Sequence, residues 1–345
     1  MKGPFPGQVL TAVGIDPNNG TYPLAYGIVE AESYASWSWF LQNLGEDLDL
    51  YVNSNFTFIS DRQKGILPAI AKLFPCAEHR FCLRHIHENM KQQWNGKAYK
   101  DHLWKCETAT TVPQFQSAIE ELKNFNQDCY AWLNQIPPQH WSRSHFTGRC
   151  HSDVLLNNMC EVFNKQIVEA RDKPIISALE YIRHYLMKRI VHVLKVIEKC
   201  EGQLTPTATK TMEKIKHEAT QYRVIWNGGN KYEVYGPWND QVIVDVYARS
   251  CSCRRWELTG IPCKHVVATN WNMALNGANV DLPEKWVDRA YWIETWKTMY
   301  MFKVEPINGK AYWPTYDCPT KLIAPTYHKQ IGRPKKKRKK CNNPY

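Results

Sequence analysis

Short apolar runs separated by turn residues near the start of the chain predict a small β-sheet. Two apolar runs, at residues 9–15 and 24–29, flank a turn-rich stretch at 16–20, and this arrangement is typical of a β-hairpin. A third apolar run predicts a strand that ends at Asp61. Between the second and third runs, apolar side chains recur at helical spacing and predict a covering helix: Trp37, Phe40, Leu41 and Leu44. The first part of the chain is therefore expected to be α/β.

Helical spacing dominates the middle of the chain. Residues 82–138 and 157–201 carry apolar positions three and four residues apart, without strand-like runs. In the second region one predicted helix has an apolar stripe: Met159, Val162, Phe163 and Ile167. Asn157, Glu161 and Asn164 lie on its opposite, polar face. A carboxylate between two amides can serve a metal site or simply face solvent, and the spacing alone leaves both open.

A third pattern lies near the C-terminus. Residues 242–247 predict a strand, Gly260 and Pro262 predict a turn, and a short helix is expected to begin near His265. Together they predict a small ββα-like unit. Such a unit buries too little apolar surface to be stable alone, so we expect a bound metal ion to stabilise it.

The ligands for such an ion are present in the same segment. Cys251, Cys253, Cys263 and His265 follow the pattern C-x-C-x9-C-x-H. Three thiolates and one imidazole fill all four positions of tetrahedral Zn²⁺, which is typical of a structural site. The alternative is four unrelated residues in a chain with twelve cysteines. A C-x-H beginning ten residues after the C-x-C pair, across a turn, argues against that alternative.

Composition narrows the class of protein. The 345 residues are 43% hydrophobic and 22% charged, as in ordinary globular proteins of two or more domains. Neither an apolar run of eighteen residues nor a signal region is present, so we expect no membrane contact and an intracellular location. The nine cysteines outside the zinc pattern are then expected to be free thiols. No small-molecule substrate is indicated.

The net charge of +11 is concentrated in the last residues. Eight Lys or Arg fall between Lys329 and Lys340, so the rest of the chain is close to neutral. The segment 332–334, Gly-Arg-Pro, resembles an AT-hook, which lies in the minor groove of A·T-rich DNA. Nuclear localisation is the first interpretation and DNA contact the second, with a solvated tail as the alternative. The residues concerned are Arg333, Lys335, Lys336, Lys337, Arg338, Lys339 and Lys340.

Longer blocks of sequence resemble a known family. Residues 251–265, C-S-C-R-R-W-E-L-T-G-I-P-C-K-H, resemble the plant form of the SWIM-type zinc finger. Successive blocks resemble the transposase domain of plant Mutator-like elements (MULE): residues 8–19, 37–41, 59–65, the C-x-x-H at 82–85, and 158–164. The chain is thus similar to a Mutator-like transposase with a C-terminal SWIM-type finger.

The resemblance implies a fold and a chemistry. The family's transposase domain is ribonuclease-H-like, with a helical insertion between its second and third catalytic carboxylates, which Asp61 and Glu161 match. Three such carboxylates hold two Mg²⁺ ions for strand transfer. The family's first catalytic Asp precedes the block matched by residues 2–4, so that Asp is expected to be absent. We therefore expect a catalytically inactive protein, and Mg²⁺ binding only if the site were active.

Three functions follow as expectations. The first is a zinc-binding, DNA-associated nuclear protein derived from a transposase. Domesticated relatives, such as the far-red impaired response family, act as transcription regulators, and that role is possible by analogy. The second is an active DDE-type DNA transposase. The third is a finger that contacts protein partners and not DNA.

The expected fold class is α/β: a truncated ribonuclease-H-like core with an α-helical insertion, a small C-terminal ββα-like zinc-finger module and a disordered basic tail. The expected divisions are the core at 1–82, the insertion at 83–150, the remainder of the core at 151–201, a linker or helical segment at 202–230, the finger at 231–275, an aromatic-rich segment at 276–328 and the tail at 329–345.

Overall fold

The computed structural model describes residues 7–50 and 56–315. The strands are β1 (Gln8–Ile15), β2 (Thr21–Val29), β3 (Thr57–Ser60), β4 (Glu78–Phe81), β5 (Arg223–Trp226), β6 (Lys231–Tyr235), β7 (Gln241–Asp245) and β8 (Ser250–Cys251). The helices are α1 (Tyr34–Asp47), α2 (Ile66–Leu73), α3 (Leu83–Met90), α4 (Lys97–Thr108), α5 (Val112–Phe125), α6 (Gln127–Leu133), α7 (Asn158–Gln166), α8 (Ile175–Ile197), α9 (Pro206–Ala219), α10 (Arg255–Thr259), α11 (Lys264–Leu275) and α12 (Ile293–Met299). The fold is therefore mixed α/β, as the sequence predicts.

The N-terminal region contains two small sheets. β1 and β2 form the predicted antiparallel hairpin, with an irregularity between Ala12 and Val13. β3 and β4 pair in parallel. Helices α1 and α2 cover the region with an apolar cluster that includes Leu10, Phe40 and Ile70. The predicted hairpin, covering helix and third strand are all present.

Strand β4 was not predicted from the sequence, because its residues are mostly polar. Its Arg80 is fully buried, and the guanidinium donates to Glu78 at 2.6 Å and to the carbonyl of Ser152 at 2.6 Å. The same guanidinium lies 3.9 Å from the ring centroid of Phe146. A buried charge is tolerated when its donors are satisfied, so the partners, and not the hydrophobic pattern, place this strand inside.

Helices α3 to α6 surround a separate apolar core. Leu103, Leu122, Leu133 and Trp141 are all essentially inaccessible to solvent there. Leu258 of α10 belongs to the same core, although it lies more than a hundred residues further along the chain. The helical region and the C-terminal region therefore pack against each other directly.

Helix α7 has the predicted position but not the predicted faces. Phe163 and Ile167 are completely buried, whereas Val162, predicted in the apolar stripe, is 45% exposed. Asn164, predicted on the polar face, has a buried side-chain oxygen. The prediction for these two residues is wrong because α7 packs against the β1–β2 hairpin through Phe163, which leaves Val162 on an exposed side.

The C-terminal region is larger than the predicted ββα-like unit. β5, β6, β7 and β8 form a four-stranded antiparallel sheet in that order. Helices α9 and α11 pack together, and Val234, Val244 and Val266 are fully buried between sheet and helices. The prediction was incomplete because β6 buries only alternate positions and β5, at residues 223–226, is largely exposed.

The turn of the first hairpin is fixed from the far end of the chain. Asp16 is 4% exposed, and its carboxylate accepts hydrogen bonds from Tyr300 at 2.9 Å and Trp296 at 3.3 Å. Thr205, at the start of α9, donates to the carbonyl of Pro17 at 3.0 Å. Asp16 thus has a structural role, in agreement with its expected place in the hairpin turn.

Within the described residues, the helices include none with the length and apolar character needed to cross a bilayer. The basic residues from Arg333 to Lys340, predicted as a nuclear and DNA-contacting tail, lie outside the described residues.

Candidate zinc centre

The four predicted zinc ligands come together in one cluster. The potential ligand atoms of Cys251, Cys253, Cys263 and His265 all lie within 4.8 Å of one another. Cys251, Cys263 and His265 are 1–3% exposed. Among the described residues this is the only group of three or more Cys, His, Asp or Glu side chains with metal-binding proximity. The structure therefore assembles the complete predicted set.

The spacing of these atoms fits tetrahedral zinc. Zinc lies about 2.3 Å from sulfur and about 2.0–2.1 Å from nitrogen, so a sulfur and a nitrogen on one ion lie about 3.6 Å apart. The Nδ1 atom of His265 is 3.7 Å from the sulfur of Cys251 and 3.6 Å from that of Cys263. Three thiols and one imidazole nitrogen are also the donor types that zinc prefers.

The orientation of His265 is set by Asp240. The Nε2 atom of His265 donates to Asp240 Oδ2 at 3.1 Å, which leaves Nδ1 facing the thiols. The same carboxylate oxygen accepts from Tyr222 at 2.6 Å and pairs with Lys264 at 3.0 Å. Although burial opposes the effect, the hydrogen bonds from Tyr222, Lys264 and His265 lower the pKa of Asp240. A carboxylate behind a ligating histidine is the usual support for a zinc site.

The thiols influence one another strongly. Hydrogen bonds from Cys251 and Cys263 lower the pKa of Cys253, whereas burial raises the pKa of Cys263. One thiolate is therefore favoured and further ionisation is opposed when no cation balances the charge. A divalent ion removes that opposition, because metal binding displaces the thiol protons.

Two left-handed residues shape the loop between the ligand pairs. Arg254, with φ of 60°, immediately precedes α10, and Gly260, with φ of 71°, immediately follows it. A Cβ at Gly260 would lie 2.8 Å from the Cβ of Asp288, so glycine is required there for both conformation and space. The amide of Cys251 donates to Glu257 at 3.2 Å. These contacts turn the chain so that Cys263 returns to the first pair.

Arg254 connects the cluster to the helical region. Its guanidinium donates to the carbonyls of Phe146 at 2.6 Å, Thr110 at 3.3 Å and Ser144. Three carbonyls from two loops thus converge on one side chain. The knuckle that holds Cys251 and Cys253 is therefore packed against the rest of the protein.

The two predicted catalytic carboxylates lie in a different environment. Asp61 directly follows β3, is half-buried and accepts from the amide of Gln63 at 3.4 Å. Burial of Glu32 raises the pKa of its carboxyl, and the nearby charge of Asp61 raises it further. Glu161 on α7 is paired with Arg84, and both side chains are substantially exposed. Asp61 lines a cavity of about 610 Å³ between β1 and β3, whereas Glu161 is not among the residues lining it.

Comparison with known families bears on both regions. Residues 2–89 match the MULE transposase domain, and residues 222–272 match the SWIM zinc finger. The chain carries a MULE transposase domain and a SWIM zinc finger. The first match contains Asp61 and strands β1 to β4. The second contains all four zinc ligands, Asp240 and Arg254.

Two curated proteins are similar over part of the chain. "Transposase for insertion sequence element IS905" of Lactococcus lactis subsp. lactis (strain IL1403) is 26% identical over 197 residues, which cover 51% of this chain and 46% of that protein. "Protein FAR1-RELATED SEQUENCE 6" of Arabidopsis thaliana is 28% identical over 142 residues, which cover 39% of this chain and 20% of that protein. The chain thus spans less than half the length of these relatives.

Sequence reasoning missed the residues that support the SWIM finger. Asp240 precedes the first ligand by eleven positions, and no local spacing connects it to His265. Arg254 lies between the ligand pairs, but its partners are on loops of the helical region. Tyr222 lies even further upstream, and its ring meets the His265 ring edge to face with 4.9 Å between the ring centroids. Only the tertiary structure brings these side chains to the cluster.

Proposed function

We propose that the protein is a zinc-binding, DNA-associated nuclear protein derived from a Mutator-like transposase. The observation that carries this proposal is the buried, complete set of three cysteines and one histidine inside the SWIM finger. The metal would be structural, because protein atoms fill all four tetrahedral positions. Elemental analysis of the purified protein should give one zinc per chain. A protein that keeps its secondary structure and melting temperature after complete chelation would contradict it.

The finger is proposed to stabilise the protein by holding the C-terminal region against the helical region. Arg254 and Leu258 attach it to the helical region, and its knuckle is packed there. A DNA or protein partner would therefore have to approach another face of the finger. This favours an intramolecular stabilising role for the zinc ion, with partner contact made elsewhere.

The N-terminal region is proposed to be a ribonuclease-H-like core. An antiparallel hairpin, a parallel strand pair and covering helices support this assignment. Asp61 and Glu161 would be its second and third metal-binding carboxylates. The position of Asp61 directly after a short strand and that of Glu161 on α7 support this proposal.

We further propose that this core does not catalyse strand transfer. Two-metal catalysis needs carboxylates that share two ions about 3.5–4 Å apart. Among the described residues, Asp61 and Glu161 belong to no group of three potential ligands, and Glu161 is paired with Arg84. A guanidinium beside that carboxylate competes with a metal ion for it.

The second candidate is an active DDE-type transposase, which similarity to the Lactococcus transposase favours. Mg²⁺ would then be required. Purified protein would be incubated with DNA carrying terminal inverted repeats and Mg²⁺, with Glu161→Gln as the control. Cleavage that the control abolishes would establish the transposase and exclude an inactive core.

Regulation of transcription is a third candidate, and similarity to the Arabidopsis FAR1-related protein favours it. Tethering the chain to a reporter promoter through a heterologous DNA-binding domain tests it, with Cys263→Ser as the control. Reporter output that changes at least threefold with the chain, and not with the control, would support it.

DNA contact by the basic tail can be tested by salt dependence. Each phosphate contact contributes about 0.9 to the slope of log affinity against log salt, so removing six cations lowers the slope by at most about 5. Electrophoretic binding would be compared for the full chain and a deletion of Lys335 to Lys340. An unchanged slope would leave the tail as a nuclear localisation signal and direct attention to protein partners.

A further inference from the structure

Helix α8 presents a row of basic side chains to solvent. Lys188, His192, Lys195 and Lys199 follow one another at spacings of four, three and four residues, which places them on one face of a helix. All four are exposed. Lys199 lies just beyond the helix end, and the right-handed backbone of the C-cap residue Glu198 keeps it in register. We call these four residues the α8 basic face.

The opposite side of α8 is held in the protein core. Val193 is 8% exposed and Ile197 is 1% exposed, and both pack with Trp296 of α12 in one apolar cluster. Near that side, Arg189 donates to the carbonyl of Thr21. These contacts keep the basic face turned outward. Because the apolar face is buried, α8 is not available to insert into a lipid surface as a membrane-binding amphipathic helix does.

The lysines of the α8 basic face have no acidic partner in the described part of the chain. The ion pairs of α8 join Glu180 to Arg183 and His184. Lysines on α4, α5 and α9, by contrast, pair with glutamates. Residues 183–199 include five Lys or Arg and a single acid, although the chain outside its basic tail is close to neutral. This part of the surface therefore carries a concentrated positive charge.

We propose that the α8 basic face binds the phosphate backbone of duplex DNA. The inference rests on the proposed DNA association of the protein and assigns a surface to it. Eleven helical residues span about 17 Å. Duplex DNA carries one negative charge for about every 1.7 Å of its axis, so the face meets several phosphates in any register.

The contact does not read the base sequence. Lysine contacts a phosphate as a point charge, and phosphate contacts position a protein without specifying bases. Arginine can read guanine through two hydrogen bonds. The two arginines of this part of α8 are already engaged, Arg183 with Glu180 and Arg189 with the carbonyl of Thr21. The α8 basic face is thus suited to sequence-independent binding.

The main test removes the three lysine charges from the full chain. Lys188→Gln, Lys195→Gln and Lys199→Gln are combined in one variant, which we call the α8 variant. The probe is a fluorescein-labelled DNA duplex of about 20 base pairs. All three positions are exposed, so substitution should leave folding and zinc content unchanged.

A matched control removes the same charge from other helices. It combines Lys105→Gln, Lys123→Gln and Lys214→Gln, whose side chains are 55%, 38% and 79% exposed. Total charge is then equal in the two variants. A difference between them reports the position of the charge on the surface.

Fluorescence anisotropy measures the effect. At about 100 mM salt the α8 variant should bind the duplex at least tenfold more weakly, and the control variant less than threefold. The slope of log affinity against log salt should fall by about 2–3 in the α8 variant, because each phosphate contact contributes about 0.9. Two duplexes of unrelated sequence should bind the unmodified protein within about twofold of each other.

Glu198 offers a change in the opposite direction. It is exposed, and it is the single acid in residues 183–199. Glu198→Gln should strengthen duplex binding about twofold to fivefold, because it removes a negative charge beside Lys199. Glu213→Gln, at an exposed glutamate of α9, should leave the affinity unchanged.

Lysine acetylation followed by mass spectrometry locates the contact on the unmodified protein. Lys188, Lys195 and Lys199 should be acetylated at least threefold more slowly when the duplex is bound. Lys105 and Lys123 serve as internal references and should react at the same rate with and without DNA. This measurement does not depend on the folding of any variant.

Several results would overturn the proposal. An unchanged salt slope in the α8 variant, together with a lower slope after deletion of Lys335 to Lys340, would exclude α8 and leave the proposed DNA association intact. Absence of duplex binding by the unmodified chain would contradict both. Competition at least tenfold stronger by duplex RNA would make RNA the partner. Equal competition by polyglutamate of matched charge would indicate an acidic protein partner.

Discussion

The candidate zinc centre and the region of the two proposed carboxylates, Asp61 and Glu161, are built differently. The four candidate zinc ligands come from fifteen consecutive residues, and three of them are 1–3% exposed. Asp240 orients His265, and Glu257 accepts a hydrogen bond from the backbone amide of Cys251. Asp61 and Glu161 are a hundred positions apart, lie on separate elements and, among the described residues, belong to no group of three or more potential metal ligands. Ligands that are close in sequence are brought together by local structure, whereas ligands that are far apart depend on the correct placement of every element between them. Five experiments test this contrast.

The largest effect is expected from removing a zinc ligand. Cys263→Ser should lose the bound zinc and unfold the finger, because zinc contributes about 10–16 kcal/mol in comparable peptides. Zinc content and thermal unfolding measure it. Cys76→Ser, at an exposed thiol away from the cluster, is the matched control and should change neither. One equivalent of zinc retained by Cys263→Ser would show that Cys263 is not an essential zinc ligand and would contradict the proposed ligand set.

Arg254 tests whether the finger and the helical region are coupled. Arg254→Ala should reduce the free energy of unfolding by about 2–4 kcal/mol, because three buried carbonyls lose a charged donor. Zinc should remain bound. Arg255→Ala changes the neighbouring exposed arginine and should have an effect below about 0.5 kcal/mol in chemical denaturation. Equal effects of both variants would indicate independent regions.

The role of Asp240 can be separated from folding. Asp240→Asn should weaken zinc affinity about 10-fold to 100-fold, because His265 loses the carboxylate that orients it. Competition with a chromophoric chelator measures the affinity. Asp245→Asn, on the same strand region but without contact to His265, should bind zinc as the unmodified chain does. An unchanged affinity for Asp240→Asn would mean that the thiols alone orient the histidine.

The carboxylate region should show its own dependence on pH. Burial lowers the pKa of His79, beside β3, to about 4. The unfolded chain takes up this proton near pH 6.5, so stability is complete above that pH and is lost as the pH falls toward 4. Chemical denaturation measures how much the free energy of unfolding decreases from pH 7 to pH 5. This decrease should be about 1–2 kcal/mol smaller in His79→Gln than in the unmodified protein. Comparing the two chains at each pH cancels any acid effect on the zinc site.

The smallest effect is expected at Glu161. Glu161→Gln removes an ion pair with Arg84 in which both side chains are substantially exposed, so the free energy of unfolding should change by less than about 0.5 kcal/mol. Chemical denaturation at low and high salt measures it. A decrease in the free energy of unfolding of more than about 2 kcal/mol would show that Glu161 makes stabilising contacts beyond this exposed ion pair.

The sequence alone predicted the features that depend on neighbouring residues. Short apolar runs placed β1 and β2, helical spacing placed α1, and the C-x-C-x9-C-x-H pattern identified the ligands that the structure brings together. Each depends on contacts within about twenty residues. Strand β4 was missed because Arg80 is buried by distant partners, and the finger's sheet was underestimated because its strands are half exposed.

Only the tertiary structure decided how these parts connect. Arg254 reaches loops more than a hundred positions away, Asp16 is held by Trp296 and Tyr300, and Asp240 orients His265. The cavity between β1 and β3 likewise depends on how two sheets are placed side by side, one of which contains the unpredicted strand β4. Hydrophobic periodicity and ligand spacing record local geometry, whereas these contacts depend on the relative placement of whole elements, which no local pattern encodes.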